Sequence, residues 1–118
     1  MSNPSRGPIH PSLLPAFKGL NTHERALNAG VCISGCTVHF VREDMDSGPI
    51  VAQAAVPAVA GDTPGTLAAR VLVAEHRLYP HALALVASGR LSIKDDIIQQ
   101  LGDGSDHARM LMSPPLSD

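Results

Sequence analysis

Proline divides this chain before any other residue type does. The interior prolines at 8, 11, 15, 49, 57, 64 and 80 each hold φ at about −65° and lack a backbone donor, so none suits the middle of a paired strand. Pro8, with Pro4 and Gly7 in the leader "MSNPSRGP", marks coil. Pro11 and Pro15 bracket "PSLLP", a stiff apolar loop that starts directly after His10 and closes before Gly19. Pro49, with Gly48, stiffens the exit of the polar turn "REDMDSGP". Pro57 ends the apolar run "IVAQAAVP", and Pro64 stands just inside the first turn of a helix, a position that needs no N–H.

Between these marks the periodicities are short. Thr22 caps a small helix, "HERALNA", that stops on Gly30, where a left-handed residue is cheap. "GCTVHFV" reads as a strand, with Thr37, His39 and Val41 on one face and Val38 and Phe40 on the other. "IVAQAAVPAV" is a second strand. Asp62 or Thr63 caps a long helix whose buried stripe is Leu67, Val71, Ala74 and Leu78. Pro80 is expected to kink or divide it, with "HALALVASG" running on to Gly89. "RLSI" is a short strand, and "GDGSD" and "SPPLSD" read as a loose tail. The organisation expected is a leader over 1–8, a folded part over 9–92 and a loose segment over 93–118, with residues 1–7 and 113–118 poorly ordered. Two or three strands with one or two helices are marginal alone, so the pattern reads as part of a larger α/β domain whose sheet exposes Val and Leu side chains.

Composition narrows the function classes. Of 118 residues, 44% are apolar but only 3% aromatic, so the core is built from Val, Leu, Ile and Ala. A formal charge of −2, without basic runs, argues against a nucleic-acid surface. No apolar stretch approaches the roughly 20 residues of a membrane span and no secretory signal is present, so the compartment expected is the cytoplasm. Cys32 and Cys36, in "CISGC", fit neither finger spacing nor C-x-x-C, and both read as small buried hydrophobes. His23, His76, His81 and His107 lack partners at metal-ligand spacing, and no metal is expected. His39 reads as a strand residue facing a polar cleft or the surface.

Two polar groups stand out by context. His10 ends an apolar step and begins a rigid loop; Asp46 sits in "DMDSGP". If the flanking strands are neighbours, their end loops can meet and the two side chains can pair. A carboxylate beside an imidazole favours the imidazolium, which makes a proton donor usable near neutral pH. The plainer alternative is a structural histidine and a turn-forming aspartate.

Taken together, "IHPSLLPAFKGLNTHERAL", "GCTVHFVREDMDSGPIVAQAAVP" and "GDTPGTLAARVLVAEHRLYP" resemble the C-terminal half of phosphoribosylglycinamide formyltransferase, over roughly residues 9–92. The resemblance implies an α/β fold, the C-terminal part of a formyltransferase-type, Rossmann-like domain, with two to three strands packed against a long helix. It implies transfer of formyl from 10-formyltetrahydrofolate to glycinamide ribonucleotide in purine (IMP) biosynthesis. It matches His10 to the family's proton donor, and Asp46 to the aspartate that raises that histidine's pKa and takes part in proton transfer. Arg42, Glu43, Asp44, Met45 and Asp46 correspond to the loop along the folate pterin, and Glu75 to the glutamate that holds the ribose of the ribonucleotide. The formyltetrahydrofolate deformylases, with a "HSFLP" loop, and the methionyl-tRNA formyltransferases, with "SLLPRWRGAAP", fit less well. Two departures stand against the family pattern. Pro8 occupies the place of an asparagine that donates to the formyl oxygen, and the N-terminal nucleotide-binding half has no counterpart here. A truncated, frame-altered or remnant form is the expectation. The rival reading is an inactive remnant that acts as a binding or assembly module, by self-association or with a separate N-terminal half.

Overall fold

A computed structural model describes residues 8–40, 48–100 and 110–115. The expectations for residues 1–7, for Val41, for the Arg42–Asp46 loop and for residues 101–109 and 116–118 of the tail therefore concern residues outside those described. The element order is β1 (Ile9–His10), α1 (Thr22–Ala29), β2 (Ile33–His39), β3 (Ile50–Pro57), α2 (Pro64–Ala87), β4 (Leu91–Lys94) and β5 (Ile97–Gln100). β1, β2 and β3 form one sheet in that order, each strand antiparallel to its neighbour. β4 and β5 form a separate hairpin.

β2 is the centre of the fold because it is buried on both faces. Cys36 and Val38 point into the core with Ala26 of α1 and Leu67, Val71, Leu78 and Ala82 of α2. Gly35 and Thr37 point the other way, against the loop that follows His10. A Cβ on Gly35 would fall 2.9 Å from Leu13 Cδ2, and the Thr37 hydroxyl donates to the Ser12 carbonyl at 2.7 Å. The alternation expected for the strand is therefore present up to Val38. A register shift between Val38 and His39 then breaks it. His39 is buried, not facing a polar cleft or solvent, and lines a small cavity with Tyr79, Leu83 and Val86 of α2. Cys36 is buried as expected, whereas Cys32 is exposed, because it precedes the first paired residue of β2.

α2 carries the expected stripe, with Leu67, Val71 and Leu78 buried and Ala74 packed against the cluster. Thr63 is the N-cap: its hydroxyl accepts from the Thr66 N–H at 3.1 Å, and the Thr66 hydroxyl accepts from the Thr63 N–H at 2.9 Å, a reciprocal capping box. Asp62 adds a carboxylate that takes two hydrogen bonds from the Arg70 guanidinium, at 2.9 and 3.0 Å. Pro80 does not divide the helix, which runs unbroken from Pro64 to Ala87. Leu78 and Ala82 flank it and are both buried. Burial of the leucine alone contributes about 1.5–3 kcal/mol, which offsets the roughly 3 kcal/mol cost of an interior proline.

Two further local readings differ. The N-cap of α1 is Asn21, in the left-handed region at φ 56°, without a side-chain cap bond; Thr22 is the first helical residue and is buried. The C-cap is Gly30 as expected, at φ 76°. The segment expected to be loose from residue 93 begins instead with paired strand. β4 turns into β5 through Asp95 and Asp96 at φ 53° and 65°, the two left-handed residues of a type I′ hairpin. Aspartate tolerates that conformation better than most residues, but without a glycine the turn carried no strong sequence signal. Among the described residues no helix is long and apolar enough to cross a membrane.

Candidate functional site

His10 ends β1, pairs in register with Thr37 of β2 and has no exposed surface. Strand pairing fixes its backbone, and the following loop fixes its ring. Its Nε2 lies 3.2 Å from the Phe17 carbonyl oxygen. That carbonyl is brought round by Phe17 itself, a bulky residue at φ 51°, where L side chains are strained. Several contacts hold the strained turn in place. The Ser12 hydroxyl donates to the Ala16 carbonyl at 2.7 Å, and the Ala16 N–H donates to the Leu13 carbonyl at 2.9 Å. From α1, the Arg25 guanidinium lies 5.7 Å from the Phe17 ring centroid and donates to the Lys18 and Leu20 carbonyls. Two prolines and a glycine thus serve a tightly tied loop around one imidazole.

The backbone on either side of His10 opens onto a different feature. Ile9 and Pro11 line a cleft of about 570 Å³ together with the first turns of α1 and α2, Leu72 and Glu75. Burial pushes the Glu75 carboxyl above its ordinary pKa, with His76 opposing the shift. The same cleft takes in His23, whose pKa burial lowers. Glu75 also acts through the core. The Cys36 thiol is pushed up to about 11, first by burial and then by the Glu75 carboxylate, so it is not a nucleophile near neutral pH. Glu75 thus lines the open cleft that Ile9 and Pro11 border, whereas His10 lies inside the fold.

Arg42, Glu43, Asp44, Met45 and Asp46 lie outside the described residues. What is described is the approach to them. β2 and β3 are antiparallel neighbours, and β2 leaves the sheet beside Pro8. The His39 N–H donates to the Pro8 carbonyl at 2.8 Å, and the Phe40 N–H to the Pro49 carbonyl at 3.0 Å. Pro8 thus takes part in the sheet edge through its oxygen, the one hydrogen-bonding group a proline backbone keeps. Among the described residues no group of three or more His, Cys, Asp and Glu side chains could hold a metal ion.

Sequence reasoning missed Ser12, Phe17, Gly35, Thr37 and Gln53 as parts of the His10 setting. For Gln53 a signal existed: it is the one polar side chain in the apolar strand Ile50–Pro57, whereas Thr37 shares β2 with Ser34 and His39. For Phe17 there was none, since nothing in "LPAFKG" marks a phenylalanine for the left-handed region.

Comparison with known proteins follows the same lines. Residues 8–83 match the family described as formyl transferase. The human trifunctional purine biosynthetic protein adenosine-3 is 58% identical over 88 residues, which are 75% of this chain and 9% of that protein. The crystal structure of glycinamide ribonucleotide transformylase 1 from Symbiobacterium toebii superposes with a TM-score of 0.76 at 53% identity, over 80% of this chain and 44% of that one. A formyltetrahydrofolate deformylase from Pseudomonas syringae superposes equally well, at TM-score 0.75 over 80% of this chain and 32% of that one, but at 28% identity. The chain thus spans less than half the length of each of these relatives. With the family matched over more than half of its residues, from Pro8 through the buried His10 to the capped helix that carries Glu75, this chain belongs to the formyl transferase family.

Proposed function

We propose that this chain carries the proton-handling part of a phosphoribosylglycinamide formyltransferase, the cytoplasmic enzyme that moves formyl from 10-formyltetrahydrofolate to glycinamide ribonucleotide. The observation that carries the reading is His10, held at the end of β1 by strand pairing and by the Phe17 carbonyl. The ribonucleotide amine attacks the formyl carbon, and the carbonyl electron pair moves onto oxygen. Collapse of that intermediate expels the folate nitrogen, which takes up a proton as the attacking nitrogen loses one. His10 serves as the donor in this exchange, with Asp46 sustaining its charged form. Glu75, in the cleft beside Ile9 and Pro11, holds the ribose, and Arg42 to Asp46 lie along the pterin.

The second reading, an inactive module that binds or assembles, rests on two observations. Pro8 offers only an oxygen where the family pattern has a donor to the formyl oxygen, and His10 has no exposed surface, so substrate must displace what covers it. Loss of one oxyanion donor typically costs about 10²–10³ in rate. The test is reconstitution with the complementary N-terminal portion of the S. toebii relative, following folate product formation. The chain alone is expected to turn over little or no substrate, and the reconstituted pair to do so measurably. Pro8→Asn should raise kcat by about 10²-fold, and His10→Ala should lower it by about 10²-fold or more. A reconstituted pair indifferent to His10→Ala leaves the module reading standing and removes the enzyme reading.

A further inference from the structure

One rung of the sheet runs through all three strands: His10 pairs with Thr37, and Thr37 pairs with Gln53. The side chains of the last two residues turn from the rung onto the loop that follows His10. The Thr37 hydroxyl donates to the Ser12 carbonyl at 2.7 Å and accepts from the Leu14 N–H at 3.0 Å. It also accepts from Gln53 Nε2 at 3.0 Å, so its one proton and both lone pairs are used. The same Gln53 amide donates to the Leu14 carbonyl, also at 3.0 Å. Leu14 thus has both backbone groups held by two side chains from β2 and β3, although the sequence separations are 23 and 39 residues.

We propose that Thr37 and Gln53 are positioning residues for His10: a two-residue clamp that seats the Pro11–Pro15 loop on the sheet and so fixes where the Phe17 carbonyl, and with it the imidazole, lies. The inference rests on the reading of His10 as proton donor for its catalytic meaning, but not for its geometry. Thr37 is fully buried and Leu14 nearly so, so an isosteric valine at 37 would leave the Leu14 N–H and the Ser12 carbonyl without partners and let the loop lift. Nothing in the β-ladder requires a hydroxyl at this position: a valine fits strand sterics equally well. The hydroxyl is there for the loop.

The variants Thr37→Val, Thr37→Ser and Gln53→Met are compared in two measurements. The first uses the chain alone: amide exchange at Leu14 and the His10 Hε1 chemical shift by NMR. Thr37→Val should speed Leu14 exchange by at least tenfold and move the His10 resonance, Gln53→Met should do so to a smaller extent, and Thr37→Ser should leave both near wild type. The second uses the reconstituted enzyme. Thr37→Val should lower kcat by about 10- to 100-fold, as loss of orientation does, with KM within twofold, and Thr37→Ser should recover most of it. An unchanged Leu14 amide and His10 resonance in folded Thr37→Val overturns the clamp. So does a serine variant as impaired as the valine one, or a loss confined to KM. If wild-type reconstituted enzyme shows no formyl transfer, the functional reading fails by itself, and the NMR measurement still decides the clamp.

Discussion

Gly35 lies where β2 passes between β3 and the His10 loop. A Cβ built there would fall well inside van der Waals contact of the Ala54 carbonyl oxygen, and 2.9 Å from Leu13 Cδ2. The leucine end could rotate away; the carbonyl belongs to the paired strand and cannot. Gly35→Ala is therefore expected to force the β2–β3 pair apart locally and to destabilise the chain by about 2–3 kcal/mol, the upper range for overpacking. Urea unfolding measures it, with the NMR signal of Leu14 reporting whether the loop lifts as well. An unchanged urea midpoint would show that the strands have room the geometry denies. The same scale explains why position 37 is not simply another β-branched strand residue: its methyl group satisfies the strand, and its hydroxyl satisfies the loop.

α2 is the element that ties the sheet to the cleft, and its N-terminus is where it is most heavily held. The Asp62 side chain is only 3% exposed. Its carboxyl is held well below the usual carboxylate range, chiefly by the Arg70 guanidinium and then by the Val59 N–H and the Thr66 hydroxyl. Arg70 also donates to the Pro57 carbonyl at 2.7 Å, so one guanidinium joins the helix start to the end of β3. Because the folded-state value is depressed, the stabilisation is fully present above the unfolded aspartate pKa of about 3.9. It is lost as pH falls from there through the folded value. Asp62→Asn is expected to lower the melting temperature at pH 7 and to flatten its decline between about pH 4 and 2. Thermal melts of both proteins across that range provide the check; parallel curves would show that the carboxylate charge adds nothing to the cap.

For the whole molecule, the distribution of apolar surface is the informative property. The second face of β2 is covered by the proline loop, and no Val or Leu of β1, β2 or β3 is exposed. Among the described residues α2 exposes Leu72, Val73, Leu83 and Val86, and further large apolar side chains are exposed at Phe40, Ile50, Ile93, Ile97, Met110, Leu111 and Met112. Leu72 belongs to the cleft with Ile9 and Leu20; Leu83 and Val86 border the cavity that contains His39. Contiguous apolar surface on a small domain favours association. Light scattering of the chain alone should show mass rising with concentration, and the complementary N-terminal portion of a relative should suppress that rise. A chain that stays monomeric across the concentration series would remove the proposed association.

What the sequence determined by itself is local and periodic. Thr63 and Pro64 at a helix start, Gly30 at a helix end, Pro57 at a strand end and the stripe of Leu67, Val71, Ala74 and Leu78 all act within a turn or two of themselves, through dihedral preference or one-sided burial. The family motif names His10 and Glu75 too, and their roles belong to the proposed function. Tertiary structure decided what depends on partners distant in the chain. The helix continues through Pro80 because Leu78 and Ala82 are buried by strands. His39 turns from the expected face because the β2–β3 register shifts beside it. Phe17 is held left-handed by a loop that Arg25, Thr37 and Gln53 secure. Thr37 and Gln53 lie 23 and 39 residues from the Leu14 groups they hold, and a hydrogen bond that closes over such a separation leaves no periodic trace in the residues that make it.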